Sequence, residues 1–237
     1  FIRAAMRHPA VLAVVLAAAL ATGGCERVAP ALAKLNPLRT FDSRCAELAP
    51  SSYQVRVADA SVAEDRTQSF DSLARISTST SPNHRTVGLT QARFGHRSSL
   101  AVNGIEDQRS GRVCARPSVT VELSLAPMTV YIASRYRDDP CRQPLIAAHE
   151  QRHVEVYRDY AREAAARLES ELPRRLGTGL IHAPTMAAAQ EQVDAALAAT
   201  MAEFIADSGR ILDERNAAID TPEEYRHLTL ACGDEPD

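Results

Sequence analysis

The chain has 237 residues, and its 27 lysines and arginines against 30 aspartates and glutamates give a formal net charge of −3. Hydrophobic residues make up 45% and charged residues 24% of the chain, which excludes a disordered or fibrous protein. A slightly acidic chain without tryptophan also lacks the basic surface and the aromatic stacking typical of nucleic-acid-binding proteins, so we expect no nucleic-acid partner.

An export signal is predicted at the start of the sequence. Arg7 and His8 precede an apolar run over residues 9–22. The run is too short to span a bilayer comfortably, and its charge-then-apolar order is that of a secretory signal. Residues 1–24 are therefore predicted to be a signal peptide. Residues 25–44, which contain two prolines, are predicted to be a tether to the folded domain.

Cys25 is a candidate lipidation site. It follows Gly23 and Gly24, and small residues before a cysteine resemble a bacterial lipoprotein cleavage box, although Thr22 replaces the usual leucine. The alternative is a plain signal peptide in which Cys25 has no role. We expect an exported protein of the bacterial envelope, either periplasmic or held to a membrane through its lipid anchor alone.

The cysteine count supports this interpretation. Five cysteines are an odd number for an exported protein, but lipidation of Cys25 leaves an even set in an oxidising compartment. The remaining four permit three pairings. We favour Cys114–Cys141, which would clamp a hairpin to the following helix, and Cys45–Cys232, which would tie the ends of the domain together.

Residues 45–136 are predicted to be an antiparallel, β-rich half. Apolar residues alternate with polar ones over residues 53–57 and again over residues 119–125, a pattern typical of half-buried strands. Ala126 and Pro127 are predicted to turn the chain into another strand that begins at Met128. Residues 77–82 and 104–111 are predicted to be loops.

Residues 137–237 are predicted to be helical because the apolar period changes to 3.6 residues. We expect a long helix that ends at Pro173, a second that starts near Pro184, and a short third helix that begins at Thr221. Strands followed by helices give an α+β fold, with residues 45–237 as one domain.

The sequence His149-Glu150-Gln151-Arg152-His153 matches the H-E-x-x-H motif inside the first long helix. The i, i+4 spacing places the two imidazoles on one helix face, where both can reach one ion. Such a site suits Zn²⁺, with Glu150 activating a zinc-bound water as acid and base. Both histidines also lie on the apolar stripe, where an unpaired polar ring is costly. The alternative is a pair of core histidines satisfied by hydrogen bonds.

The strand predicted at residues 128–134 comes just before the motif helix. In H-E-x-x-H peptidases an edge strand beside that helix holds the substrate in extended form through backbone hydrogen bonds. By analogy, we expect this strand to lie at the sheet edge and to bind a peptide or protein substrate.

The sequence offers several candidates for the third metal ligand. Asp159 occupies the last position of the longer metzincin motif, but Val156 replaces the glycine that the motif needs for its turn, so we reject that ligand. Asp220, at a helix junction, is the favoured third ligand. Glu224 is the alternative, although a capping box with Thr221 would explain it equally well, and Glu214 ranks behind both.

Two tyrosines are candidate oxyanion donors. Tyr157 lies one turn beyond His153, and Tyr225 follows the predicted third ligand. Either hydroxyl could donate a hydrogen bond to developing negative charge. Packing would explain each of them equally well.

The last 120 residues resemble a bacterial family of predicted secreted zinc-dependent proteases. The resemblance rests on three blocks in order: residues 130–134, then Cys141 with the H-E-x-x-H motif, then residues 219–225 with Cys232. It implies a zincin-like fold, His149 and His153 as zinc ligands, and Glu150 as the catalytic acid and base. Related members carry an aspartate followed by a histidine in the last block. This chain has the aspartate, Asp220, but has Tyr225 near the position of the histidine.

Two functions follow from these observations. The leading hypothesis is an exported, zinc-dependent metallopeptidase-like hydrolase. The alternative is a non-catalytic envelope lipoprotein that acts as a binding or assembly module, with the histidines structural or holding a structural zinc. Three protein ligands plus water would favour the enzyme, and four protein ligands would favour the alternative.

Overall fold

The computed structural model of the protein describes residues 39–58, 60–77 and 85–233. The predicted signal peptide, Cys25 and most of the predicted tether lie outside the described residues. Helix α1 begins at Phe41, so the last residues of the predicted tether are helical. Among the described helices, none is both long enough and apolar enough to cross a bilayer.

The described residues form a mixed α+β fold. Its sheet contains the strands β1 (Ser52–Val57), β2 (Val62–Asp65), β3 (Gly88–Glu106), β4 (Val113–Ile132) and β5 (Ile181–Ala183). Its helices are α1 (Phe41–Ala46), α2 (Phe70–Ile76), α3 (Arg142–Leu176), α4 (Met186–Ala217) and α5 (Pro222–Leu230). A short 3₁₀ turn, Ser134–Tyr136, connects the sheet to α3.

Strand β4 is the axis of the sheet. Strand β3 pairs with it in antiparallel fashion along almost its whole length, and β5 pairs antiparallel with its first residues. On the side opposite β3, the strands β5, β1 and β2 follow one another along β4, and β1 and β2 are parallel to it. The prediction of an antiparallel half was therefore wrong for β1 and β2. Parallel pairing brings together segments far apart in sequence, which local alternation does not reveal.

The predicted turn at Ala126 and Pro127 was wrong, because β4 runs through both residues. The two residues lie opposite the single residue Arg93, since Phe94 pairs with Leu125 and Ala92 pairs with Met128. Two residues opposite one form a β-bulge, and proline is tolerated there because no ladder hydrogen bond needs its missing N–H. The bulge shifts the alternation by one residue, and in the sequence such a shift resembles the start of a new strand.

The predicted loop at residues 104–111 is only partly a loop. Strand β3 continues to Glu106, and the chain reverses over residues 107–112 before β4 begins. The Asp107 amide donates to the Arg112 carbonyl at 2.8 Å and closes the turn. Most of the loop predicted at residues 77–82 lies outside the described residues.

The two long helices cover one face of the sheet. Alternate residues Val119, Val121 and Leu123 of β4 are buried there. They pack against apolar side chains of α3 and α4, among them Leu168 and Phe204. Burying an aliphatic side chain of this size contributes about 1.5–3 kcal/mol, so this packing fixes α3 on the sheet.

Helix α3 does not end at Pro173 as predicted but continues to Leu176. The last turn tolerates Pro173, and its carbonyl accepts a hydrogen bond from the Gly177 amide at 3.0 Å. Gly177 has a φ of 82°, a left-handed conformation that glycine adopts without strain and that stops the helix.

The two disulfides are Cys45–Cys114 and Cys141–Cys232, so both of the favoured pairings were wrong. Cys45 lies in α1 and is buried against the first residues of β4 rather than near the C-terminal end. Cys232 follows α5, which returns to the start of α3, where Cys141 is the N-cap. Each disulfide thus joins elements that the sequence pattern alone does not place side by side.

Candidate metal centre

Helix α3 presents the H-E-x-x-H motif to the interior of the protein. His149, Glu150 and His153 are only 5%, 3% and 6% exposed. One helical turn separates the two histidines, and their Nε2 atoms converge to 3.2 Å. The motif helix predicted from the sequence therefore brings two buried imidazole nitrogens to one point.

Asp220 supplies a third donor from the junction between α4 and α5. Its Oδ1 atom lies 3.1 Å from His149 Nε2 and 3.2 Å from His153 Nε2. A tetrahedral zinc ion with bonds of about 2.0–2.1 Å separates its ligand atoms by about 3.3 Å. The three donor atoms thus form a nearly equilateral triangle with the spacing that one face of such a site requires, and they are a group that could hold a metal ion.

The other ring nitrogens of the histidines also have partners. The Nδ1 atom of His153 lies 2.8 Å from Asn216 Oδ1, and that of His149 lies 2.9 Å from Arg152 Nη2 and 3.3 Å from Glu224 Oε1. Metal-bound histidines ordinarily donate their second N–H to such a carbonyl or carboxylate, which fixes the ring orientation. Asn216 and Glu224 therefore occupy the positions of supporting residues behind the rings.

Only half of the predicted capping box between Thr221 and Glu224 is formed. The N-cap half is present, because the Thr221 hydroxyl accepts a hydrogen bond from the Glu224 amide at 3.2 Å. The Glu224 carboxylate, however, accepts from Arg152 and approaches His149. Helix α5 thus begins where expected, while its glutamate side chain contacts α3.

Hydrogen bonding determines the ionisation of Asp220. Burial by itself raises the pKa of its carboxyl, but hydrogen bonds from His149 and His153 outweigh burial and hold the pKa well below its usual range. The Tyr225 hydroxyl donates another hydrogen bond to this carboxylate. Burial and the charge of Asp220 raise the pKa of Tyr225, so its hydroxyl keeps its proton. The third donor is thus an ionised carboxylate.

Glu150 lies beside the triangle but takes no part in it. Its Oε2 atom accepts a hydrogen bond from the Thr90 hydroxyl at 2.8 Å. Burial raises the pKa of Glu150, against the opposing effects of His153 and of the Thr90 hydrogen bond. A carboxyl whose proton affinity is raised is suited to accept and return a proton near neutral pH.

The two tyrosines predicted as oxyanion donors both line the cleft. The Tyr225 hydroxyl is hydrogen-bonded to Asp220, and that of Tyr157 to Asn216. In this arrangement each tyrosine contacts a residue of the centre.

The remaining acidic candidates lie elsewhere. Glu214 accepts from Arg210 at 2.8 Å on an exposed face of α4. Asp159 pairs with Arg162 on the exposed side of α3, in agreement with its rejection as a ligand. Neither carboxylate belongs to the group around His149 and His153.

The centre lies in a cleft of about 720 Å³. Its walls are the start of β3, the motif face of α3, and the residues where α4 ends and α5 begins. The three converging donors and Glu150 all line it. A small molecule or a peptide segment that enters the cleft therefore reaches both the metal-binding group and the buried carboxyl.

The edge strand predicted at residues 128–134 was wrong. Residues 128–131 of β4 have β2 on one side and β3 on the other, so this segment is internal. The strand at the edge beside the motif is instead the start of β3, which in the described residues pairs only with β4. The short strand β2 was not predicted, and it covers the edge that β4 would otherwise expose.

Comparison of the chain with models of known protein families, with curated proteins and with solved structures found no match.

Proposed function

We propose that the protein is an exported zinc-dependent hydrolase that cleaves peptide bonds. The observation that carries this proposal is the triangle of His149 Nε2, His153 Nε2 and Asp220 Oδ1, with sides of 3.1–3.2 Å. Two neutral imidazoles and one carboxylate are a donor set that catalytic zinc uses in proteins. The residues present therefore fit the ion in both chemistry and spacing.

Bound zinc would supply Lewis acidity, which polarises a carbonyl and makes water a stronger acid. Side chains of the protein would carry out the remaining steps. Glu150 accepts a proton from the attacking water and delivers it to the amine that leaves as the C–N bond breaks. The Tyr225 hydroxyl keeps Asp220 oriented, and Asn216 and Glu224 do the same for the histidine rings.

An extended peptide fits the edge of β3. The Ala133 amide donates to the Val87 carbonyl, so in an antiparallel ladder the main-chain groups of the next residue, Gly88, and of Thr90 are directed to the opposite edge. That edge has no described strand beside it and borders the cleft. Backbone pairing there would hold a substrate across Glu150, the role that the sequence pattern suggested for residues 128–134.

Export is the part of the proposal that rests mainly on sequence. The predicted signal peptide and lipidation at Cys25 direct the protein to the bacterial envelope. The two disulfides agree with an oxidising compartment.

The alternative of a structural zinc in a non-catalytic lipoprotein would be favoured by four protein donors. In the described part of the chain the group contains three, and all three line the cleft. This arrangement favours the enzyme, because catalytic zinc keeps one position for water or substrate.

Zinc content and hydrolysis of a peptide library by the purified protein test the proposal. We expect one zinc per chain, lost in the His149→Ala/His153→Ala double variant and kept in the control His182→Ala, whose histidine is exposed on β5. Glu150→Gln should keep the zinc but lower kcat by at least about a hundredfold. The exposed Glu214→Gln serves as its control. A parent protein without zinc, or full activity in Glu150→Gln, would overturn the proposal.

A further inference from the structure

Strand β3 makes two contacts with Glu150 that the H-E-x-x-H motif does not include. The Thr90 hydroxyl lies 2.8 Å from Glu150 Oε2 and 3.1 Å from the Glu150 main-chain carbonyl oxygen. The other carboxylate oxygen, Oε1, lies against Gly88, where the Cβ atom of any larger residue would come within 2.5 Å of it. Thr90 and Gly88 are two residues apart and face α3 from the same side of the strand.

We propose that Thr90 and Gly88 are positioning residues for Glu150 and that together they select which of its oxygens transfers the proton. This role rests on the function proposed above, because it gives Glu150 a geometry for that reaction. The two contacts come from a strand 60 residues away from the motif and are independent of the histidine and aspartate side chains.

The hydroxyl of Thr90 can serve both states of Glu150. A hydroxyl group has one proton to donate and lone pairs that accept. When the carboxyl is ionised, Thr90 donates to Oε2. When Oε1 of Glu150 holds the proton taken from water, the Thr90 hydroxyl can go on donating to Oε2. The side chain therefore stays in one place while the proton is taken up and returned.

Gly88 provides the space for the second oxygen. A side-chain carbon at this position would also lie 2.6 Å from Ile146 Cγ2, so neither neighbour could avoid it without moving. Because Oε2 is occupied by Thr90, Oε1 is the oxygen available for proton transfer. A larger residue at position 88 would displace that oxygen or the turn of α3 that carries it.

Matched variants of the zinc-loaded protein test this role, with the quenched fluorescent peptide that the wild type cleaves fastest as the probe. Thr90→Val keeps the shape of the side chain and removes the hydroxyl, and we expect kcat to fall about tenfold to a hundredfold, the worth of a hydrogen bond to a charged group. KM and zinc content should stay within about twofold of wild type. Thr90→Ser should restore most of the kcat.

Glycine variants test the second contact on the same strand. Gly88→Ala should lower kcat at unchanged zinc content. Gly95→Ala is the control, since its added carbon would meet only Ser124 Oγ at 3.6 Å, which is ordinary van der Waals contact. Equal activity of the two alanine variants would overturn the role of Gly88.

A double-mutant cycle on the zinc-free protein gives a readout that does not depend on activity. The unfolding midpoints of Thr90→Val, Glu150→Leu and the double variant should be non-additive, because the hydrogen bond from Thr90 to the carboxylate is lost in either single variant, whereas the contact with the Glu150 main-chain carbonyl is lost only with the hydroxyl. Additive midpoints would overturn the contact, and a kcat for Thr90→Val within threefold of wild type would overturn the role. A wild type that binds zinc but cleaves no peptide would overturn the proposed function and this role together.

Discussion

Two carboxylates approach His149, and they approach different ring nitrogens. Asp220 Oδ1 is 3.1 Å from Nε2, the nitrogen that converges with His153, whereas Glu224 Oε1 is 3.3 Å from Nδ1. An imidazole that binds a metal through one nitrogen donates its other N–H to a supporting group. In the proposed site Asp220 would therefore bind the metal, and Glu224 would support the ring.

Substitutions at the two positions should separate these roles. We expect Asp220→Ala to abolish zinc binding, because one of three ligands is lost. Glu224→Gln should retain one zinc per chain with affinity reduced about tenfold to a hundredfold, the usual effect of removing such a supporting group. Competition with a chromogenic chelator measures both affinities.

Glu223→Gln is the control for this comparison, since Glu223 is exposed and faces Arg226. It should leave the zinc affinity as in the wild type. Complete loss of zinc in Glu224→Gln, with retention in Asp220→Ala, would reverse the assignment of ligand and support.

A site residue can be predicted from the sequence when its partners are close to it along the chain, and it is missed when they are far away. His149, Glu150 and His153 share one helix, so their spacing alone indicates the motif. Asp220 was favoured only because it had no capping duty at its junction. Thr90 and Asn216 were missed, since they meet Glu150 and His153 across 60 and 63 residues and local patterns contain no trace of such contacts.

Helix α5 is held in place mainly by a disulfide and by polar contacts with α3. None of its residues is buried, although it carries Glu224 and Tyr225. The Cys141–Cys232 disulfide, a 2.9 Å hydrogen bond from Arg142 Nη2 to the Gly233 carbonyl, and the Arg152–Glu224 ion pair connect it to α3. With little hydrophobic packing, the disulfide should be the main restraint on its position.

Removal of this disulfide should therefore affect the metal centre. In Cys141→Ser/Cys232→Ser we expect zinc affinity to fall severalfold or more, because α5 and Asp220 beside it are less well held. The free energy of unfolding should fall as well, by about 2–5 kcal/mol for loss of a native disulfide. Isothermal titration with zinc and chemical denaturation measure the two effects.

Cys45→Ser/Cys114→Ser is the matched control. Its disulfide joins α1 to the start of β4, whereas Gly88 beside the centre pairs with Ile132 at the other end of that strand. We expect a comparable loss of stability with unchanged zinc affinity. Equal losses of zinc affinity in both double variants would show that general loosening, rather than release of α5, is responsible.

The helices were easier to predict than the strands. A 3.6-residue apolar period over 30 residues is a strong local signal, and α3 and α4 lie close to where it placed them. Strand β3 gave no such signal, because four consecutive polar residues in its middle, residues 96–99, are all exposed. The pairing partners of β1 and β2, and both disulfides, depend on contacts between distant segments, which alternation does not encode.

At the scale of the whole molecule, the hydrophobic core and the metal centre are separable. One cluster of buried residues lies between β4, the later part of α3 and α4, and a second lies under the first turns of α3. Both clusters consist of apolar side chains, which pack together without a metal ion. The fold should therefore persist without zinc.

This separation predicts how zinc changes stability. His149→Ala/His153→Ala should have the circular dichroism spectrum of the wild type. Added zinc should raise the unfolding midpoint of the wild type only, by the equivalent of about 2.7 kcal/mol at a hundredfold excess over Kd. Thermal melts with zinc and with a chelator measure the shift, and an equal shift in the double variant would place the stabilising ion elsewhere.

The bulge at Ala126 and Pro127 also constrains how this gene can change in length. Val119 to Leu125 and Met128 to Ile132 point their apolar side chains to the same face only because an extra residue separates the two series. Loss of one codon here would turn Met128, Val130 and Ile132 outward and Thr129 and Tyr131 inward. Insertions and deletions in related genes should therefore avoid this strand. They should occur instead in the turn over residues 107–112, where a change of length does not reverse the side of the sheet to which the strand residues point.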